Sequence, residues 1–320
     1  MLDVFFTVDV EVWCDGWHNI DKKFPAAFRK YIYGPTSKGN FGLPYQLEVL
    51  NAYGLTGVFF IEPLFSTRFG DQPLAEIVGL VRDSKQEVQL HLHTEWVDES
   101  RVPLLADTRS KRQHLRYFSK EEQTTLIAAG SRLLKQAEAC DVNAFRAGSF
   151  GFNRDTLSAL AANGIPFDSS YNASLFGPDS GVMPGMAVVE PVECDGVYEY
   201  PMTVFNDGTG SLRHTQLTSC SYREMEGLLW QALEAGRGSF VILSHGSELL
   251  NQAKDRADDV VVKRFQKLCS FLDKNRDSFR VRGFQGLKPK LFRQQPVPLA
   301  SPVWKTGARM IEQAYRRKFR

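Results

Sequence analysis

The sequence predicts an α/β fold, built as a parallel sheet or as an incomplete (β/α) barrel. Short apolar runs that are typical of buried strands alternate with segments of helical periodicity along most of the 320 residues. Strands of parallel sheets are covered on both faces, so they read as continuous apolar runs rather than as alternating patterns. The sequence contains no internal repeat, and the alternation therefore favours a series of βα units.

The predicted elements follow one another from the first residues. Strands are expected at residues 4–6, 57–61, 87–93, 144–148, 197–201, 239–245 and 279–282, and helices at 43–53, 72–82, 118–140, 153–163, 222–235 and 258–274. Ser119 and Glu122 match a capping box at the start of one helix. Residues 13–42 predict a long irregular loop. We expect one compact domain over residues 1–286, followed by a basic, Pro-containing tail over 287–320 that ends in a short helix.

The composition excludes several classes of protein. A net charge of +2 gives the whole molecule no strong preference for nucleic acid, and no run approaches the ~20 apolar residues of a membrane span. The five cysteines are scattered without a CxxC pair, which argues against a zinc-thiolate site and a disulfide framework. No basic segment precedes an apolar run at the start, so we expect no signal peptide and a cytoplasmic location.

Two acids, Asp9 and Glu11, follow the first predicted strand. Residues two apart on an extended chain project to the same side, where two carboxylates repel each other unless a cation or a shared proton lies between them. Chemistry in α/β sheets gathers at the carboxyl ends of strands. The pair therefore predicts half of a metal and acid/base site, with two solvated acids on an edge strand as the alternative.

Two histidines and an acid, His91, His93 and Glu95, lie within five residues at the end of another strand. On a strand His91 shares a face with His93, whereas in a helix it would share a face with Glu95. Either pair, completed by Asp9 or Glu11, suits zinc or another first-row metal. A pair of surface histidines is the alternative interpretation.

Two further residues predict catalytic chemistry. His245 ends the last clear buried strand, where it could serve as a general acid or be a hydrogen-bonded core histidine. Arg146 lies among apolar and small residues, and a buried arginine needs an anionic partner, such as a catalytic aspartate. No glycine-rich phosphate-binding loop follows a strand, so the sequence predicts no nucleotide-binding motif of that kind.

Five short motifs occur in order, and together they resemble the polysaccharide deacetylases, which have the NodB-homology fold of carbohydrate esterase family four. They are Asp9-Val10-Glu11, Glu87-Val88-Gln89-Leu90-His91, Phe145-Arg146-Ala147-Gly148, Phe167-Asp168-Ser169-Ser170 and Ile242-Leu243-Ser244-His245. The resemblance covers about residues 2–285 and implies a distorted, incomplete (β/α) barrel.

The resemblance also implies roles for individual residues. Asp9 would be the general base, Glu11 a metal ligand and His245 the general acid, while Arg146 would pair with the base. His91 matches the first of two metal-binding histidines that the family places four residues apart.

Glu95 stands where the second histidine of the family is expected, and His93 is the nearest histidine. The expected metal ligands are therefore Glu11, His91, His93 and Glu95, with either His93 or Glu95 completing the set and zinc as the expected ion. The expected substrate-binding residues are Trp13, Phe150 and Asp168.

The implied function is metal-dependent removal of an N-acyl group, acetyl or formyl, from a sugar. A lipid- or nucleotide-linked intermediate of surface polysaccharide or lipopolysaccharide synthesis fits a protein without an export signal. The alternatives are a metal-independent amidohydrolase of a cyclic amide or ureide, and an inactive glycan-binding relative. The basic end of the tail predicts either contact with the inner membrane surface or a solvated helix.

Overall fold

The computed structural model describes residues 1–176, 181–292 and 294–318. In chain order the strands are β1 (Leu2–Val10), β2 (Pro35–Thr36), β3 (Gly39–Asn40), β4 (Gly57–Ile61), β5 (Glu87–Leu92), β6 (Ala144–Ala147), β7 (Phe167–Asp168), β8 (Val192–Cys194), β9 (Val197–Glu199), β10 (Val204–Asn206), β11 (Leu212–His214), β12 (Ser239–His245), β13 (Phe279–Val281) and β14 (Leu299–Ala300). The α-helices are α1 (Ile20–Phe28), α2 (Leu43–Ala52), α3 (Ser66–Phe69), α4 (Asp71–Asp83), α5 (Lys120–Gln136), α6 (Arg154–Ala162), α7 (Ala173–Phe176), α8 (Tyr222–Glu234), α9 (Asp259–Lys274) and α10 (Val303–Lys318). Each predicted strand and helix is present, with bounds that differ by a few residues.

The described residues form two compact units. The first unit contains the described residues of Met1–Gly57, Met202–Gly283 and Pro296–Arg320, and the second contains those of Val58–Pro201 and Phe284–Gln295. Both units contain parallel strands and the helices that cover them, as the alternation of the sequence predicts.

The first unit is organised around β1, whose residues are almost completely buried. β1 pairs in parallel with β12 along seven residues, from Asp3 opposite Ser239 to Asp9 opposite His245. The amino-terminal part of β1 also pairs in parallel with β13. Phe6 of β1 packs against Phe265 of α9, with ring centroids 5.4 Å apart. The parallel register brings Asp9 and His245 side by side at the carboxyl ends of their strands.

The second unit contains the sheet order β4-β5-β6-β7-β9-β8, in which only the β8–β9 pair is antiparallel. His91 of β5 lies opposite Arg146 of β6 in this register. Four aromatic rings, Phe60, Phe167, Tyr200 and Phe284, form a cluster with centroids 5.6–6.1 Å apart. The sheet therefore fixes β5 and β6, the two strands from which the predicted histidine and arginine side chains project.

The prediction of an irregular loop over residues 13–42 is wrong for its middle part. The structure has α1 there, followed by a π-helical segment at Arg29–Tyr33. Ile20, Phe24 and Ala27 are buried at helical spacing. The start of α1 carries no recognisable signal, because Asn19 has a left-handed conformation and its side chain makes no capping hydrogen bond.

The predicted tail contributes to both units, and its separation from residues 1–286 as a domain stays a prediction. Its last helix, α10, belongs to the first unit and packs there through ion pairs. The Arg309 guanidinium lies 3.3 Å from Asp207 and 3.1 Å from Glu224, and all three side chains are buried. Arg316 donates from Nε to Asp258 at 2.8 Å. The last two residues of the predicted basic helix, 319 and 320, lie outside the described residues.

The capping box that the sequence predicts at Ser119 and Glu122 is confirmed, and both of its hydrogen bonds are present. Among the described residues, no helix combines the length and the apolar character that crossing a membrane would require.

Candidate active site

The first unit contains a cluster of two carboxylates and an imidazole at the carboxyl ends of β1 and β12. One side-chain ligand atom from each of Asp9, Glu11 and His245 lies within 4.8 Å of the others. The three side chains line a cavity of about 380 Å³. Asp9 is 4% exposed, whereas 36% of the His245 side chain is exposed. A buried carboxylate and an accessible imidazole therefore face one cavity, which is the arrangement that a base and an acid require.

A carboxylate that the sequence analysis missed holds His245 in place. Nδ1 of His245 lies 3.3 Å from Oε2 of Glu248, which is buried. The other oxygen of Glu248 accepts hydrogen bonds from the backbone N–H of Thr218 and the side-chain amide of Gln216, both at 3.0 Å. This bonding leaves Nε2 as the ring nitrogen of His245 that could exchange a proton with a substrate. The spacing His-x-x-Glu directly after a strand was the only signal in the sequence.

Glu248 also changes the acidity of His245. Burial alone would lower the pKa of this imidazole, but the hydrogen bond and charge of Glu248, followed by the charges of Glu11 and Asp9, raise the pKa to about 9. Burial alone would raise the pKa of Glu248, but the hydrogen bonds and charge of His245 and the hydrogen bonds from Thr218 hold the pKa of this carboxyl below its usual value. His245 is therefore protonated at neutral pH, as a general acid must be.

Trp13, which the sequence predicts to bind substrate, lies beside the same cavity. Its indole Nε1 donates a hydrogen bond of 2.6 Å to Oε2 of Glu11. The ring of Trp17 meets it edge-on, with centroids 6.1 Å apart. Trp13 thus orients Glu11, and its role in binding substrate stays a prediction.

The second unit holds the predicted histidines at the end of β5. Both are buried, with His91 1% and His93 5% exposed, and their ring centroids are 4.8 Å apart. Nδ1 of His91 donates to the backbone carbonyl of Arg146 at 2.7 Å. Nδ1 of His93 lies 3.2 Å from Oε2 of Glu95. Surface histidines, the alternative interpretation of this segment, are excluded by the burial.

These hydrogen bonds leave the Nε2 atom of each ring as the potential ligand. A metal-binding histidine almost always donates its other ring N–H to a carbonyl or a carboxylate, which fixes the tautomer. His91 and His93 both have such an acceptor, and Glu95 is the acceptor for His93. The geometry therefore favours His93 over Glu95 as a ligand, with Glu95 as the group that orients it.

Gly148 allows His93 to take this position. A Cβ atom on residue 148 would lie 2.6 Å from the carbonyl oxygen of Leu92 and 2.7 Å from Nδ1 of His93. Both distances are far inside van der Waals contact. Residue 148 must therefore be a glycine, because the carbonyl of Leu92 and the imidazole of His93 approach its Cα too closely for any side chain.

Arg146 is fully buried and is bound on several sides. Its Nε donates to the carbonyl of Ser169 at 3.0 Å, and Nη2 donates to the hydroxyl of the same residue at 3.1 Å. The guanidinium carbon lies 4.3 Å from the centroid of the Phe60 ring. The predicted pairing of Arg146 with the general base stays a prediction.

Asp168, predicted to bind substrate, has no exposed surface and belongs to a buried carboxyl pair. It lies opposite Glu199 in the β7–β9 register and accepts a hydrogen bond of 2.5 Å from Ser170. Burial, then the charge of Asp168, raises the pKa of Glu199 well above its usual value, and burial also raises the pKa of Asp168. Two adjacent buried carboxyls share a proton more readily than they hold two charges. The sequence analysis missed Glu199, and the substrate role of Asp168 stays a prediction.

Phe150, the third predicted substrate-binding residue, lies in a strained turn directly after Gly148. Phe150 and Ser149 have positive φ angles of 55° and 51°. Such conformations are unusual for residues with side chains and are maintained only where the surrounding structure enforces them. The turn leaves the side chain of Phe150 partly exposed.

Comparison with known proteins identifies the fold. No family model and no curated protein matches the sequence. Among solved structures, a protein assigned as a polysaccharide deacetylase from Mycobacterium smegmatis is 17% identical, with a TM-score of 0.55 over 92% of this chain and 95% of that one. A family 4 carbohydrate esterase from Streptomyces lividans, in complex with acetate, is 13% identical, with a TM-score of 0.41 over 86% and 89%. The likeness to the Mycobacterium structure confirms the fold class predicted from the sequence, which is a distorted, incomplete (β/α) barrel.

Proposed function

We propose that the protein is a metal-dependent hydrolase that removes an acetyl or formyl group from the nitrogen of a sugar. The observation that carries the proposal is the Asp9–Glu11–His245 cluster beside its cavity, with ligand atoms within 4.8 Å of one another. A site that only binds glycans has no need of a buried carboxylate next to an imidazole whose pKa is raised to about 9.

In this proposal the two groups divide the proton transfers. Asp9 takes a proton from the water that attacks the acyl carbonyl. His245, held through Nδ1 by Glu248, donates a proton from Nε2 to the amine that leaves. Each proton transfer of this kind typically contributes ~10²–10⁴-fold to the rate.

The donor set fits a divalent first-row metal. Two buried imidazoles with oriented rings, together with carboxylate oxygen, are ligands that zinc accepts in hydrolytic sites. We assign Glu11, His91 and His93 as the ligands and Glu95 as the support of His93. When bound, such an ion supplies a Lewis acid for the acyl carbonyl.

We further propose that the acylated sugar is linked to a lipid or a nucleotide, and that α10 contacts a membrane surface. The face of α10 opposite its ion pairs is apolar and exposed: Trp304 is 60%, Ile311 74% and Tyr315 57% exposed. The ion pairs of Arg309 prevent the helix from turning this face inward. Helices with an apolar face and basic residues are typical of membrane interfaces.

Metal analysis and an activity assay test the enzyme proposal. Purified protein should contain close to one divalent ion per chain and should release amine from N-acylated sugars, and a chelator should abolish the release. Asp9→Asn should lower kcat by about 10²-fold or more. Asp83→Asn, at a side chain that is 74% exposed on α4, is the matched control and should retain full activity. Chelator-resistant activity would contradict the role of the metal, and full activity of Asp9→Asn would contradict the role of the base.

Co-sedimentation with vesicles tests the membrane contact. Vesicles that contain anionic phospholipid should bind the wild-type protein, and Trp304→Ser should weaken the binding because the apolar face loses its largest ring. A wild-type protein that stays in the supernatant would show that this face serves another purpose.

A further inference from the structure

A second cavity in the first unit continues from the one that contains Asp9 and His245. Its volume is about 820 Å³, within the range of small-molecule sites. Four residues line both cavities, namely Thr218, Asn251, Gln252 and Arg316. A ligand whose reacting group lies at His245 could therefore extend into the second cavity without leaving the protein surface.

The lining of the second cavity has a surplus of positive charge. It contains five cationic side chains and two carboxylates: Lys38, Arg213, Arg256, Lys263, Arg316, Asp258 and Asp259. Both carboxylates are already engaged, because Asp258 caps α9 and binds Arg316, and Asp259 lies 3.6 Å from Lys38. Arg256 lies 3.8 Å from Asp255, which does not line the cavity. The charges of Arg213 and Lys263 are not balanced by the two acids of the lining.

The hydrogen bonding of Arg213 is the strongest indication that this cavity binds an anion. One terminal nitrogen of its guanidinium donates to the carbonyl of Ser219 at 3.4 Å. Its Nε–H is buried and has no hydrogen-bond partner within the part of the chain that the structure describes. A buried donor of this kind costs free energy unless a ligand or water accepts its hydrogen bond. Arginine forks match the oxygens of phosphate groups in geometry and charge.

We propose that this second cavity binds the phosphate or diphosphate group of a phosphorylated sugar whose N-acyl group lies at Asp9 and His245. The inference rests on the proposed function and narrows its substrate class. Neutral polysaccharide would leave the cationic cavity unused, whereas a sugar joined through phosphate to a nucleoside or a polyprenyl chain would fill both cavities. Arg213 and Lys263 would then discriminate substrates by charge rather than take part in the chemistry.

Direct binding tests the cavity without any need for activity. Titration calorimetry with inorganic pyrophosphate should detect binding to the wild-type protein. Arg213→Gln and Lys263→Gln should each weaken the binding, by roughly 10-fold for the arginine. Arg132→Gln, at an exposed position of α5, is the matched control and should bind like the wild type. Lys263 is exposed, so its variant remains informative if Arg213→Gln does not fold.

Kinetics then connect the cavity with the substrate. Arg213→Gln should raise KM for an N-acetylated sugar phosphate by about 10-fold, whereas the control Arg132→Gln should leave this KM unchanged. A nucleoside diphosphate sugar and a polyprenyl phosphate sugar, assayed in parallel, distinguish the two sources of the phosphate. Deacylation of neutral sugars without any pyrophosphate binding would overturn this inference and leave the proposed function intact. Pyrophosphate binding that depends on Arg213, without deacylation of any acylated sugar, would overturn the proposed function and retain the anion site.

Discussion

Gly148→Ala is expected to damage the histidine site while leaving the backbone conformation accessible. The new Cβ would lie 2.6 Å from the carbonyl oxygen of Leu92 and 2.7 Å from Nδ1 of His93. Ordinary contacts between such atoms are about 3.5 Å or longer. One of the two neighbours must therefore move by several tenths of an ångström, and the imidazole is less constrained than the carbonyl of a sheet strand.

The expected magnitude follows from this overlap. Overpacking of a tight core typically costs about 1–3 kcal/mol of the free energy of unfolding. A shift of His93 also breaks its 3.2 Å contact with Glu95, and loss of such supporting bonds typically lowers metal affinity by about 10–100-fold. The second effect is specific to a metal site, whereas the first would follow from any crowded glycine.

Two measurements separate these effects. Urea unfolding gives the change in stability, and competition with a chromogenic chelator gives zinc affinity under conditions where the variant is folded. Gly79→Ala is the control, because a Cβ at this position in α4 meets no atom within 4 Å and should stabilise the helix by ~0.5–1 kcal/mol. Unchanged zinc affinity of a folded Gly148→Ala protein would refute the placement of His93 as a ligand.

Three further predictions concern charge. Glu248→Gln should lower the pKa of His245 from about 9. The pH at which kcat/KM declines on the alkaline side should then fall by at least ~1 pH unit. A pH–rate profile in which this alkaline decline does not shift would rule out His245 as the acid. The pKa of Glu199 is raised in the folded state, so the contribution of this residue to stability is present at low pH and is lost as the pH rises. The free energy of unfolding of Glu199→Gln, relative to that of the wild type, should therefore be higher at about pH 8 than at about pH 5. An equal difference between the two proteins at both pH values would contradict the shared proton. Arg309→Ala should lower the free energy of unfolding by ~3–5 kcal/mol, because it leaves two buried carboxylates without a cationic partner. Arg316→Ala should lower it by ~1 kcal/mol or less. Similar small losses in both variants would show that other contacts hold α10 in place.

The sheet and the carboxyl-end residues could be predicted because they follow from local patterns. Buried parallel strands are continuous apolar runs, and β1, β5 and β12 were visible for that reason. The parallel pairing of β1 and β12 then forces Asp9 next to His245, whatever the loops contain. The sequence placed each of the two residues at the carboxyl end of a strand, whereas the pairing that brings them side by side is known from the structure.

The supporting residues could not be predicted in the same way, because their roles depend on side-chain directions. Glu248 follows His245 by three residues in a turn, and only the turn geometry brings its carboxylate to Nδ1. Glu199 becomes significant only because the β7–β9 register sets it opposite Asp168. The helix α1 was missed because Asn19 provides no capping bond and a proline lies inside the helix.

In His91, His93 and His245, the Nδ1 atom faces an oxygen acceptor, and the acceptors differ. Nδ1 of His91 donates to a backbone carbonyl, which orients the ring as metal-binding histidines are usually oriented. Nδ1 of His245 faces the carboxylate of Glu248, which stabilises the protonated ring and raises its pKa to about 9. Nδ1 of His93 also faces a carboxylate, that of Glu95, at 3.2 Å, and the His93 ring is buried. A histidine ligand binds zinc only through a nitrogen that carries no proton, so the zinc affinity should fall as the pH is lowered. A zinc affinity that does not change with pH would contradict the assignment of His91 and His93 as ligands.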